Sequence, residues 1–357
     1  LENWRKWPEN WKPHMGKHER LKRQKQHHTQ IFMTTPIKTP TSFHLTPQQI
    51  ESFDAKGFLV LRNWIPEALL HRLRDAGDDW IRQALESGDE TGQRGDDFVF
   101  AKRDGGREVP FRVNYLHNKG RSASLELLGS PQVLAVAESL CGPNFVPTYE
   151  SMVFKFAGDG EAIPWHQDAV FPRNFRVFNF DVYLDASTAD GGALCVIPGS
   201  NKSVHDVCKF AEEHGWSHPD LQVVEMQPGD VLLHDDMVLH GSPRVDGQAM
   251  RRTVYYEFRP MEQILEEGPW DRSWADDRLR LLPVALKKFA HAFPDAEPYD
   301  WKIDEAFRPN AAGDDDAELK VAHRAHSVGS YCTAGGWTAE EAAKALNGHA
   351  GLSRTDS

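Results

Sequence analysis

Among the 357 residues there is no uninterrupted apolar run of 18 or more, so no segment has the length and character of a membrane-spanning helix. Cysteine is scarce. Cys141, Cys195, Cys208 and Cys332 stand far apart, without a C-x-x-C pair or zinc-type spacing. That excludes a cysteine-built metal module and a disulfide framework, and reads as reduced thiols in a cytoplasmic protein. Basic residues are outnumbered, 41 against 53 acidic, for a formal charge of −12. The deficit is uneven: residues 1–32 carry +5 and the remainder −17. An acidic body of this size argues against nucleic acid as the main partner and leaves a small molecule as the expected one; oligomeric state is not legible. Residues 1–32 also lack the apolar stretch of a secretory signal and read as a disordered basic leader.

From Thr46 onward the punctuation is informative. Thr46-Pro47-Gln48-Gln49 forms a capping box with proline at the first helical position, and Gly57 closes that helix. Gly57 to Leu61 reads as a strand. A second helix begins near Pro66, its Leu69, Leu73, Ala76, Trp80 and Ala84 recurring at steps of three and four. A third spans Ser130 to Gly142, and 87–121 reads as loop with strand fragments. After 145 the texture changes to short apolar runs bounded by Gly, Pro and Asp: 151–156, 177–184, 193–197, 231–233 and 253–258. Such a series implies an antiparallel barrel or sandwich. Residues 202–222 suggest a helical insertion, and further helices are expected near 283–292 and 338–347. The expected class is α+β, a jelly-roll, cupin-like core over about 145–260 with flanking helices, in one domain over 33–335 and a C-terminal helix and tail over 336–357.

Pro164-Trp165-His166-Gln167-Asp168 carries the chemistry. In a strand, residues i and i+2 share a face, roughly 6–7 Å apart, so His166 and Asp168 can meet one metal ion. A third ligand is expected from His240, in Leu239-His240-Gly241-Ser242, where small neighbours leave room for an incoming ligand. His234 is the rival. Two imidazoles and a carboxylate on one face of an octahedral ion suit Fe(II) that must also bind a chelating co-substrate and dioxygen. Eleven residues beyond His240, Arg251 and Thr253 share a strand face. A guanidinium and a hydroxyl are the groups that would hold the far carboxylate of 2-oxoglutarate, with Ser242 as a further donor. Arg252, on the other face, is expected in solvent or in a surface ion pair. Substrate contacts are expected from Arg112 toward an anionic group, from Trp165 beside the metal strand, and from Asp181.

Together, Trp165-His166-Gln167-Asp168, Ile197-Pro198-Gly199-Ser200, Gly229-Asp230, His240-Gly241-Ser242 and Arg251 resemble the phytanoyl-CoA dioxygenase family over roughly residues 44–260. The resemblance implies a double-stranded β-helix core. It implies iron ligation by His166, Asp168 and His240, and 2-oxoglutarate binding by Arg251 with help from Ser242. The implied reaction is hydroxylation of an unactivated C–H bond of a small metabolite, releasing succinate and CO2. The same core can support desaturation, cyclisation or epimerisation, and a cupin-like metal protein without 2-oxoglutarate chemistry is the alternative class. Two positions depart from the family pattern. Asn201 stands where histidine is frequent, and Asp181 where many members carry tryptophan, which makes that wall more polar. With Asp168 present, the chain does not resemble the halogenating relatives, in which alanine or glycine occupies that position.

Overall fold

The computed structural model describes residues 43–87, 97–102, 108–156, 162–169, 174–244, 250–310 and 314–324. The basic leader and the helix expected near 338–347 lie outside them. The described residues from His44 onward form one compact unit.

The first helix, α1 (Pro47–Lys56), starts on the expected capping box, with Thr46 accepting from Gln49 N and Gln49 reaching back to Thr46 N at 2.9 Å. It ends at Gly57, whose φ of 80° is left-handed. A side chain there would also strike Asn201, whose Cγ lies 2.8 Å from where a Cβ would stand. Strand β1 (Phe58–Leu61) follows, then α2 (Glu67–Glu86), whose predicted stripe is buried: Leu69, Leu73, Ala76, Trp80 and Ala84 are all at most 2% exposed. Each large apolar side chain so placed contributes about 1.5–3 kcal/mol. The stretch expected to be mostly loop contributes β2 (Phe98–Lys102) and β3 (Glu108–Asn114), and α3 (Ala123–Leu128) and α4 (Pro131–Cys141) complete the N-terminal helices.

Eight strands then run from 145 to 260: β4 (Phe145–Lys155), β5 (Ile163–His166), β6 (Phe178–Tyr183), β7 (Leu194–Val196), β8 (Gln222–Val224), β9 (Val231–Asp235), β10 (His240–Ser242) and β11 (Arg251–Pro260). Helix α5 (Val207–His214) sits in the expected insertion between β7 and β8. The strands form two antiparallel sheets. One has seven strands in the order β1-β9-β6-β11-β4-β3-β2, the other four in the order β5-β10-β7-β8. After β11, helices α6 (Met261–Glu267), α7 (Arg272–Leu279), α8 (Leu281–Ala292) and α9 (Asp315–Ala322) continue the chain.

The two faces of the large sheet differ in chemistry. On β11, Val254, Tyr256 and Phe258 belong to the main apolar core that includes the stripe of α2 and residues of α4 and α8. The alternate residues Arg251, Thr253, Tyr255 and Glu257 face the other way. Directly opposite residues of an antiparallel pair share a face. The register therefore adds Lys155, Val153, Ser151 and Tyr149 from β4, Tyr183, Asp181 and Asn179 from β6, and His234 and Leu232 from β9 to this second, polar face. An α+β fold with paired antiparallel sheets is thus present, and its polar inner face positions the site. Among the described residues no helix is long and apolar enough to cross a membrane.

Candidate metal centre

His166 ends β5 and His240 opens β10, and the two are register partners across the small sheet. Their rings lie 4.1 Å apart between centroids. Asp168, two residues past His166, brings its Oδ1 to 3.3 Å from His166 Nε2 and its Oδ2 to 3.8 Å from His240 Nε2. One ligand atom from each of the three lies within 4.8 Å of the others, close enough to surround a single ion. His234 is not part of this group.

Hydrogen bonding prepares the two imidazoles for such a role. Nδ1 of His166 donates to the Pro164 carbonyl at 2.8 Å, and Nδ1 of His240 to the Val238 carbonyl at 2.9 Å. With the proton held on Nδ1, each Nε2 presents a lone pair toward Asp168. Burial, followed by repulsion from His166, drives His240 down to about 3, so it is neutral at ordinary pH. Asp168 moves the other way. Burial opposes its charge, but the surrounding imidazoles, His240 first and then His166 and His234, outweigh that and hold it well below the usual carboxylate range. Two imidazole nitrogens with an ionised carboxylate make the donor set that a divalent transition metal takes.

The groups expected to hold a dicarboxylate lie on the neighbouring polar face. Arg251 is 4% exposed. Its Nη1 donates to the Gly192 carbonyl and lies 3.5 Å from Ser187 Oγ, and no carboxylate among the described residues pairs with it. A buried guanidinium without an anion is costly. Thr253 Oγ1 is buried near the Tyr255 phenol without the geometry of a hydrogen bond. Burial first, then Asp181, raises that phenol above its ordinary range. Ser242, fully buried on β10, accepts from Lys155 Nζ at 2.7 Å. Since an ammonium cannot accept, the Ser242 proton is left to point elsewhere. Lys155 also donates to the Pro243 carbonyl at 3.0 Å, and it faces Arg251 across the β4–β11 pair. Sequence reading missed Lys155 because it ends an otherwise apolar run, and only the cross-strand register brings it beside Arg251.

Other expectations change. Trp165 does not reach the metal group. Strand alternation turns it to the opposite face from His166, where it packs in a separate apolar cluster with Cys195, Ile197, Val207 and Leu239 and donates to the Gly215 carbonyl at 2.7 Å. Asp181 is not an open wall of a pocket: it is 1% exposed and accepts from His234 Nδ1 at 2.8 Å. Gly241 serves a different purpose from giving a ligand room. A Cβ there would lie 2.9 Å from the Ile163 carbonyl oxygen and 3.0 Å from Trp216, so its small size lets β10 press against β5. Arg252 is in an ion pair as expected, but a largely buried one, with Asp185 at 2.8 Å and Asp78 at 2.6 Å. Arg112, half-buried on β3, lies beside the Tyr149 and Tyr255 phenols on the polar face.

Comparison with known proteins agrees with this geometry. The family model described as phytanoyl-CoA dioxygenase matches residues 53–253, more than half of the chain. The chain belongs to the phytanoyl-CoA dioxygenase family. It is 23% identical over 235 residues to the human peroxisomal phytanoyl-CoA dioxygenase, a match covering 60% of this chain and 68% of that protein. It is 26% identical over 244 residues to the methylphosphonate hydroxylase of Gimesia maris, covering 66% and 87%. Among solved structures, AviO1 from Streptomyces viridochromogenes superposes with a TM-score of 0.51 at 26% identity, covering 60% of this chain and 94% of AviO1. Membership makes this family member an oxidoreductase of the dioxygenase class.

Proposed function

We infer that this dioxygenase-family chain uses Fe(II) and 2-oxoglutarate to hydroxylate an unactivated C–H bond of a small-molecule metabolite, with succinate and CO2 released. The observation that carries the reading is the pairing of two features. One is the three-residue group of His166, Asp168 and His240; the other is the buried Arg251 guanidinium that has no carboxylate among the described residues. The donor set fits iron, because both Nδ1 protons are committed to backbone carbonyls and Asp168 is held ionised. Bound there with the 2-oxo acid, ferrous iron would supply the oxygen-activating chemistry.

The chain's own residues do the remaining work. His166, Asp168 and His240 would occupy one side of the ion and leave the opposite side for co-substrate and oxygen. Arg251 would fix the distal carboxylate of 2-oxoglutarate by charge-assisted hydrogen bonds, with Thr253 and Ser242 as hydroxyl donors. The apolar side chains Val153 and Leu232 on the same face would help exclude water. Arg112, beside Tyr149 and Tyr255, is assigned to an anionic group of the substrate. The double-stranded β-helix is the finer form proposed for the core. Its support is the interleaving of the eight strands: β9-β6-β11-β4 and β5-β10-β7-β8 alternate between the two sheets along the chain except at β7 and β8, which pair with each other.

Anaerobic addition of Fe(II) and then 2-oxoglutarate tests the reading through the visible charge-transfer band of the chelate. Succinate release across a metabolite panel then locates the substrate. A chain that binds iron yet shows no band and no 2-oxoglutarate affinity would leave a cupin-like metal protein instead.

A further inference from the structure

His234 is completely committed by its neighbours. Its Nε2 donates to Asp168 Oδ2 at 2.9 Å and its Nδ1 donates to Asp181 Oδ2 at 2.8 Å. The side chains of His234 and Asp181 are 2% and 1% exposed. Asn179 reaches the same Asp168 oxygen, with Nδ2 at 3.0 Å, and also donates to Asp236 Oδ1 at 3.0 Å. Asp168 Oδ2 therefore receives two fixed donors, whereas Oδ1 is the oxygen near His166 Nε2. A carboxylate arranged this way has one oxygen occupied and one available to an ion. The strands make the arrangement rigid. Asn179 and Asp181 sit two apart on β6, and His234 is the register partner of Asn179 on β9.

We propose that Asp181 and His234 form a buried dyad that, with Asn179, orients the Asp168 carboxylate to bind the metal through one oxygen; His234 is a positioning residue of the centre. The inference rests on reading His166, Asp168 and His240 as the ligands. It also gives the buried Asp181 a purpose, as the acceptor of the His234 Nδ1 proton. Outer partners of metal ligands hold the ligand's orientation, and their removal typically lowers metal affinity about 10- to 100-fold.

The test uses the full chain, titrated anaerobically with Fe(II), and with Co(II) as a spectroscopic probe of coordination, in the absence of 2-oxoglutarate. His234→Leu removes both hydrogen bonds and is expected to weaken metal binding roughly 10- to 100-fold and to alter the Co(II) visible spectrum. His234→Gln, whose amide can still donate to Asp168, is expected to stay within about threefold of wild type with an unchanged spectrum. Asp181→Asn keeps the shape and removes the charge behind the imidazole; its expected loss is about three- to tenfold. His234→Leu retaining wild-type affinity and spectrum overturns the proposal. So does His234→Gln falling as far as His234→Leu, the behaviour of a direct ligand. Where His234→Leu does not fold, Asp181→Asn decides, and wild-type affinity in that variant overturns it. A wild-type chain that takes up no stoichiometric metal sinks the functional reading as well; a tight wild-type site unaffected by the variants sinks the dyad alone.

Discussion

Replacing Arg251 by methionine separates binding from stability, and the structure sets both signs. The guanidinium is 4% exposed and has no anionic partner among the described residues. Its contacts are neutral ones, to the Gly192 carbonyl and Ser187. Two charge-assisted hydrogen bonds to a carboxylate are worth about 1.5–3 kcal/mol each. Their loss predicts about 3–6 kcal/mol, or roughly 10²- to 10⁴-fold, in 2-oxoglutarate affinity. Stability without co-substrate should move little. Removing an unpaired buried charge is favourable, while the orphaned Gly192 carbonyl costs about 1–3 kcal/mol, so the two partly cancel. Anaerobic titration of the chelate band measures the first quantity and urea unfolding of the co-substrate-free protein the second. The reasoning is refuted by Arg251→Met that binds 2-oxoglutarate as wild type does, or that unfolds several kcal/mol more easily with its affinity intact. Either result would make Arg251 a structural residue.

Three further outcomes follow from other parts of the site and fold. Asp168→Ala removes the carboxylate that His166, His234 and Asn179 all address, and should abolish succinate formation and stoichiometric Fe(II) binding; retained turnover would displace this residue from the centre. Gly241→Ala places a Cβ against the backbone oxygens of Ile163 and Pro164, pushing the strand of His166 away from that of His240. Overpacking of this kind costs about 1–3 kcal/mol, and metal affinity should fall with stability, measured in parallel by titration and thermal unfolding. Burial opposes the charge of Glu150, but Arg278 and His117 outweigh it and bring its carboxyl to about 2. A depressed carboxylate stabilises above its unfolded pKa and loses that contribution as pH falls through the folded one. Glu150→Gln should therefore be destabilised at neutral pH, on the order of 3 kcal/mol, with the difference from wild type closing between about pH 4.5 and 2. A pH-independent difference in urea midpoints would contradict this assignment.

How far the chain could be read in advance depended on which interactions are local. Helices α1 and α2 were legible because a capping box and a 3.6-residue stripe lie within a single segment, and their physics closes without help from elsewhere. His166 and Asp168 were legible for the same reason: a period of two puts both on one face whatever the strand packs against. The same period could have assigned Trp165 to the other face, since it stands one residue before His166. Its proximity in sequence suggested a pocket role that alternation removes. Lys155, Asp181 and His234 belong to a different category. Each acquires its neighbours only through strand pairing, β4 with β11 and β6 with β9, and register is set by distant turns and by burial of whole faces. A one-residue slip of β9 against β6 would carry His234 out of line with Asn179 and away from Asp168 and Asp181. Two strands, β6 and β9, thus have to settle into register before Asp168 can be oriented, which ties the geometry of the metal group to the folding of the sheet behind it. That coupling predicts that substitutions weakening the β6–β9 pair, even on the apolar face at Phe180 or Leu233, lower metal affinity along with stability. Loss of stability at those positions without loss of metal affinity would show that Asp168 holds its orientation independently of the sheet.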